Sequence, residues 1–539
     1  MRGADLLVQT MASAGVRTVF SLSGNQIMPV YDACLDAGIR IVHTRHEAAA
    51  VFMADAWSQL TGEPGVALVT AGGGFGNALG ALISARAAES AVVLLSGDSP
   101  RAQDGMGAFQ EFDQVAASTP FTKWSHRSRE AAALGDDFRT AHRLAGTGRP
   151  GPVHLALPVD LLNATLADAA IAGAPAAAGP AEPASDSLDR LRQLLGEASR
   201  PLVLTGPQLN RSRAGALLDA LVAATGAPVV SMESPRGLRD PSLGAFADVF
   251  AQADLLVYLG KAPDFTTDFG RPRASDAQVV LVAPERELIE RGRRLFGDQL
   301  ALALEADAMG VADALVVDAN GDRSADRTQW RARCAAAIAS RALASGRAPA
   351  WVSALNQIQA VLDAARDPVL IVDGGEFGQW AQAFLSARTR VINGCSGTIG
   401  GSLACAVAAS LARPEATVIA LLGDGTVGFH LAELETAARA GARFVAIIGN
   451  DGRWNAEHLI QLRDYGAARQ FGCELDPATD YAASARALGI GGERVEVPEA
   501  LGGALQRAQA AAGPFLIDMR IEGRGAPVFA SAPAIGGGH

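Results

Sequence analysis

ATVIALLGDG at residues 416–425 and RFVAIIGNDG at residues 443–452 decide the fold of this chain. Each is an apolar run of strand length that breaks into glycine and a polar residue. Residues 430–440, between the two runs, have helical character. Strand, crossover helix and strand in that order predict a parallel unit, with its polar residues at the carboxyl ends of both strands, where open α/β sheets bind ligands. Asn450 follows Asp424 by 26 positions, about the length of a helix plus a strand, so both side chains can reach one ion from adjacent strand ends. Asp424 and Asn450 can each give magnesium a side-chain oxygen, and Gly452 a carbonyl. Two diphosphate oxygens and a water would complete the octahedral shell. A bare glycine–aspartate–glycine also suits a plain tight turn with a solvated carboxylate; the rest of the chain favours the ligand.

The same scheme recurs upstream. Apolar strand-sized runs fall at residues 18–20, 39–42, 65–70, 91–96 and 152–157, then at 201–205, 227–231, 254–260 and 277–282. Further runs at 368–373, 389–393 and 514–519 flank the opening pair. Continuous apolar strands between helices predict parallel sheets covered on both faces. The fold class is therefore α/β, with three consecutive parallel-sheet domains. Their expected bounds are residues 1–163, 186–345 and 346–525, with an Ala/Pro-rich linker at 164–185 and a flexible tail at 526–539.

Composition excludes several classes. Hydrophobic residues make up 49% and charged residues 19%, which fits large packed cores and not disorder. A formal charge of −11 without a Lys/Arg run argues against nucleic acid as a partner. No apolar stretch reaches the roughly 18 residues of a membrane span. The cysteines Cys34, Cys334, Cys395, Cys405 and Cys473 form no CxxC unit, and no secretory leader is evident, so a reduced, cytoplasmic protein is expected. Zinc spacing, GxSxG, a P-loop and an opening GxGxxG are all missing from the sequence.

Glu47 begins an apolar helical stretch directly after the 39–45 segment. An acid in a first helical turn is stabilised by the helix dipole and unpaired amides. Buried against a ligand, the same group becomes a proton-transfer residue. TAGGGFGN at residues 70–77 includes Gly73 and permits close backbone approach, though a tight turn explains it equally. SGTIGG at 396–401 sets Ile399 between glycines, Gly397 among them, as an apolar ledge.

Taken together, these residues resemble the diphosphate-binding signature of thiamine-diphosphate-dependent enzymes, and nearly the whole chain resembles the acetolactate synthase superfamily. The first of that family's paired asparagines is Gly449 here, while Asn450, Asp451 and Gly452 follow intact. The N-terminal third is particularly similar to benzaldehyde lyase at residues 44–50, 68–75 and 122–127, whereas 108–113 is closer to acetolactate synthase.

The resemblance implies pyrimidine-binding, central and diphosphate-binding domains in that order. It also implies an active site shared between subunits, with a homodimer at minimum and a homotetramer expected. Glu47 would protonate the cofactor's aminopyrimidine, Ile399 would enforce its bent shape, and Asp424, Asn450 and Gly452 would hold Mg2+. Gly423, Gly425, Thr426, Gly73, Gly397, Arg453 and Trp454 fall among the cofactor contacts, although Trp454 also suits packing. Glu376 and Phe377 replace a polar pair near the diphosphate, which leaves backbone contact there. Gln110 matches a glutamine lining the substrate site. Asn25 and Gln26 stand where benzaldehyde lyase presents alanine and histidine, and Gln26 cannot act as a general acid or base near neutral pH.

The implied activity is a carbon–carbon lyase or carboligase acting on 2-hydroxy ketones or 2-oxo acids through an enamine. Cleavage or decarboxylation of acyl-coenzyme A compounds is the alternative, and the absence of Lys or Arg after Arg524 argues against it. A non-catalytic regulatory homologue is more remote. Flavin (FAD) in the central unit has no supporting fingerprint.

Overall fold

The computed structural model describes residues 1–167, 184–317 and 327–530. Most of the expected 164–185 linker, and the tail beyond residue 530, lie outside them. The apolar runs form strands, and the central ones bury both faces. In the first unit these are β1 (Thr18–Ser21), β2 (Arg40–His43), β3 (Gly65–Val69), β4 (Val92–Asp98), β5 (Ser125–Arg127) and β6 (Val153–Pro158). The middle unit has β7 (Pro201–Thr205), β8 (Val229–Ser231), β9 (Leu255–Leu259), β10 (Gln278–Ala283) and β11 (Leu300–Glu305). The last has β12 (Pro368–Val372), β13 (Thr389–Ile392), β14 (Thr417–Gly423), β15 (Val445–Asn450), β16 (Gly491–Val495) and β17 (Phe515–Arg520). All neighbouring strands within these three sheets run parallel.

The first sheet has the order β2-β1-β3-β4-β6-β5 and the last β13-β12-β14-β15-β17-β16, so the two outer domains share one topology. The order turns back between β1 and β3, and again between β12 and β14. Crevices open at such switch points, at the carboxyl ends of the strands. Residues 24–26 and 70–74 lie at the first crevice, and residues 374–377 and 423–426 at the second. Register carries the opening motif across: Gly423 pairs with Gly449, setting Asp424 and Asn450 on adjacent strand ends.

The outer domains also share a core. Helix Glu47–Thr61 packs on helix Ser402–Ala412. Both are rich in alanine, and small side chains let the axes approach: a Cβ on Gly401, just before the second helix, would lie 2.8 Å from the Phe52 ring. Each large apolar side chain buried there contributes about 1.5–3 kcal/mol. The middle domain is joined by buried charges. Arg213 donates to the carbonyls of Ala88 and Glu89, each at 2.8 Å, and Arg390 reaches Glu233 at 2.5 Å.

Residues 521–530 are strapped across the last domain, not loose from residue 526 as expected. Trp351 Nε1 donates to the Glu522 carbonyl, Trp380 Nε1 to Gly525, and the Ala530 amide to Ala342. No helix among the described residues is long and apolar enough to cross a membrane.

Candidate active site

Glu47 opens its helix, but it is not the cap. The His46 imidazole accepts from the Ala48 amide at 3.1 Å. The Glu47 carboxylate is 8% exposed and receives Asn77 Nδ2 at 3.0 Å. Gly74 lies close above it, where a Cβ would come within 3.1 Å of Glu47 Oε1. Gln26, 5% exposed, accepts from Thr70 and donates to Gln110. Asn25 and Gly73 are exposed at the same crevice. Gln110 has φ +62°, a region that L side chains rarely adopt and that costs energy unless the surroundings impose it.

At the second crevice, Asp424 begins the helix Asp424–His430. Its carboxylate accepts from the amides of Gly425 (3.0 Å), Gly452 (2.7 Å) and Arg453 (3.2 Å). Burial nevertheless raises its pKa. The neighbouring Asp451 is pushed up to about 7, first by burial and then by repulsion from Asp424. Thr426 Oγ1 ties the turn to both the amide and the carbonyl of Gly423.

Gly452 has φ +73°, and its carbonyl accepts from Leu475 at 2.8 Å. Asn450, 1% exposed, is bound on both sides: Nδ2 donates to Asp518 at 2.9 Å, and Oδ1 accepts from Arg520 at 2.5 Å. Asp424 is thus met by the amide of Gly452, not its carbonyl, and the Asn450 oxygen, expected beside Asp424, is directed to Arg520. A buried carboxylate, an amide oxygen and a carbonyl are hard oxygen donors. This chemistry fits a divalent cation.

A cavity of about 220 Å³ adjoins these groups, lined by residues including Gly375, Phe377, Ile399, Asp424, Asp451 and Arg453. Phe377 lies over Gly449, where a Cβ would stand 2.3 Å from the ring. Ile399 packs against Gly374, and Trp454 covers Gly425. The Gly397 backbone turns at φ +69° in the same wall. The Glu376 carboxylate, on the same cavity wall, is already engaged: Arg236 Nη2 stands 3.4 Å from it, and the Ala526 amide donates to it. Arg453 Nη1 reaches His458 at 3.1 Å, while its Nε is buried without an acceptor among the described residues.

Sequence reasoning missed Thr70, Asn77 and Asp373. The wholly buried Asp373 accepts from the amides of Gly374, Gly400 and Ser402 and so holds the Ile399 loop, and burial raises its pKa. Its place at the end of β12, matching Gly423 at the end of β14, was the available signal. Glu47 does not line the Asp424 cavity.

Comparison with known proteins accounts for both crevices. Residues 1–117 match the family described as thiamine pyrophosphate enzyme, N-terminal TPP binding domain, and residues 373–519 match its C-terminal TPP binding domain. The chain is 32% identical to an acetolactate synthase large subunit of Mycobacterium tuberculosis, covering 96% of this chain and 95% of the relative. It is 30% identical to the catabolic acetolactate synthase of Raoultella terrigena over 98% and 96% of the two chains. It is also 30% identical to 2-hydroxyacyl-CoA lyase 2 of Homo sapiens over 91% and 84%. With both family domains matched and relatives aligned along almost all its length, the chain belongs to the thiamine-diphosphate-dependent enzymes of the acetolactate synthase and decarboxylase superfamily, which make and break carbon–carbon bonds.

Proposed function

We propose that this enzyme joins or cleaves the carbon–carbon bond of 2-hydroxy ketones, with 2-oxo acids as acyl donors in the acetolactate-like case. The observation that carries the reading is the buried Glu47 carboxylate, relieved of capping by His46 and held by Asn77. A helix-start acid that does not cap its helix is free for proton exchange with a ring nitrogen. Thiamine diphosphate, when bound, supplies the carbon nucleophile that adds to the substrate carbonyl.

The chain's own groups do the rest. Asp424, Asn450 and the Gly452 carbonyl would hold Mg2+, Asn450 through the oxygen that Arg520 now engages. Gly423, Gly425, Thr426 and the backbone at Glu376 and Phe377 receive the diphosphate, with Arg453 as the nearby cation. Ile399, Gly397 and Trp454 shape the wall, and Gly73 allows close approach. Asn25, Gln26 and Gln110 steer substrate oxygens. Because Glu47 and Asp424 occupy separate crevices, the complete site takes one cluster from each of two subunits, in a dimer or a dimer of dimers. The resemblance of residues 44–50, 68–75 and 122–127 to benzaldehyde lyase extends the reading to its substrates, but Gln26 in place of that enzyme's histidine and relatives named as synthases and acyl-CoA lyases weigh against it.

A second reading, cleavage of 2-hydroxyacyl-coenzyme A, is favoured by the 30% identity to the 2-hydroxyacyl-CoA lyase 2 sequences. Incubation with the cofactor, Mg2+ and a panel of pyruvate, benzoin, benzaldehyde and a 2-hydroxyacyl-coenzyme A, with products read by mass spectrometry, separates the readings. Turnover of the thioester alone would displace the first. Asp424→Ala is expected to abolish the Mg2+-dependent part of cofactor affinity in calorimetry; an unchanged titration would refute the metal seat. A yellow preparation would assign flavin to the middle domain.

A further inference from the structure

The glycines around Thr70 do more than permit close approach. A Cβ on Gly24 would lie 2.3 Å from Thr70 Cβ, and one on Gly74 would lie 2.7 Å from Thr70 Cγ2. Two missing side chains thus make room for the threonine at the end of β3. Its hydroxyl contacts Gln26 Oε1 at 2.6 Å, a separation typical of O–H···O and short for N–H···O. Gln26 Oε1 is therefore the acceptor. Its Nε2 faces the other way and donates to Gln110 Oε1 at 2.9 Å. With that oxygen occupied, Gln110 is left with the N–H groups of Nε2, for which the described residues provide no partner. Its positive φ is sustained from the far side, where Gly72 leaves space; a Cβ there would stand 2.7 Å from Gln110 Cβ.

We propose that Thr70 is a positioning residue. Acting through Gln26, it orients Gln110 so that amide N–H donors, and no titrating group, meet the oxygen of the reacting carbonyl compound. The ligand class is an aldehyde, ketone or 2-oxo acid presenting a carbonyl acceptor. This deepens the functional reading above and rests on it.

The test compares Thr70→Val, which keeps the shape and removes the hydroxyl, with Thr70→Ser, which keeps the hydroxyl. Crystal structures of both variants, cofactor titration by tryptophan fluorescence, and kinetics with pyruvate and with benzaldehyde are the readouts. In the valine variant the Gln26–Gln110 contact should break or Gln110 should leave its positive φ. On either substrate that the wild type converts, kcat/KM should fall by about ten-fold, the size of effect expected from a misplaced contact group, with cofactor affinity unchanged. The serine variant should restore both the contact and the rate. An intact Gln26–Gln110 pair in the valine variant would overturn the proposal. So would equal impairment by serine, or a defect confined to cofactor affinity. Failure of the wild type to bind thiamine diphosphate with Mg2+ would instead sink the functional reading, and the crystal structures would still decide the relay.

Discussion

Phe377 and Gly449 explain each other. The ring occupies the space that a side chain at residue 449 would need, which suits the glycine that stands where the family resemblance implies an asparagine. Gly449→Asn alone is expected to destabilise the chain by about 1–3 kcal/mol, the usual cost of overpacking a core. Added to Phe377→Ser, the same change should be much milder. Denaturant unfolding of the two singles and the double measures the coupling; additive losses would show that the pair is independent. Each substitution is visible in the sequence as a departure, but their common cause is a contact between distant positions. The same holds for Thr70 and Asn77. Both belong to a segment that reads as a glycine-rich turn, and their roles come from partners on other elements. Glu47 is the opposite case: position alone allowed two roles, and burial with a histidine cap argues against the capping one.

Strands with continuous apolar runs were legible, and the ones missed were β5, β11 and β16, all at sheet edges. An edge strand is covered less and needs no apolar run, as the Ser-His-Arg of β5 and the Gly-Gly-Glu-Arg-Val of β16 show. β11, Leu-Ala-Leu-Ala-Leu-Glu, is composed of good helix formers and is a strand only through its pairing with β10. Next to β5 lies a histidine that sets a pH limit on the first domain. His154 on β6 is wholly buried, with Ser96, Ser118 and Ser125 around its ring, and burial lowers its pKa to about 3. The unfolded chain binds this proton near pH 6.5, so the contribution is fully present above that value. It is lost as pH falls from about 6.5 towards 3, at no more than about 1.4 kcal/mol per pH unit. His154→Gln should flatten that slope in unfolding measured between pH 4 and 7; an unchanged slope would exclude His154 as its source.

At the scale of the molecule, two domains of one topology face the same kind of task with different chemistry, an acid in the first and a metal-type donor set in the last. If two subunits complete the site, Glu47→Gln and Asp424→Ala should each be inactive yet complement one another. Mixing the unfolded variants equally and refolding them should recover about a quarter of wild-type activity, since half the dimers are mixed and each of those has one intact site. No recovery, with mixed dimers demonstrated, would place both clusters in one chain's site. The three-domain order was readable from repeated strand runs, whereas the fastening of the tail was not, because residues 521–530 bind through their backbone and carry little pattern. That fastening passes through Glu376, which Arg236 of the middle domain also engages. The C-terminal segment is therefore part of the pocket's electrostatic insulation. Cut before Ala526, the chain would keep every residue of the crevice, but the Glu376 carboxylate would lose its amide donor and be left to Arg236 and water.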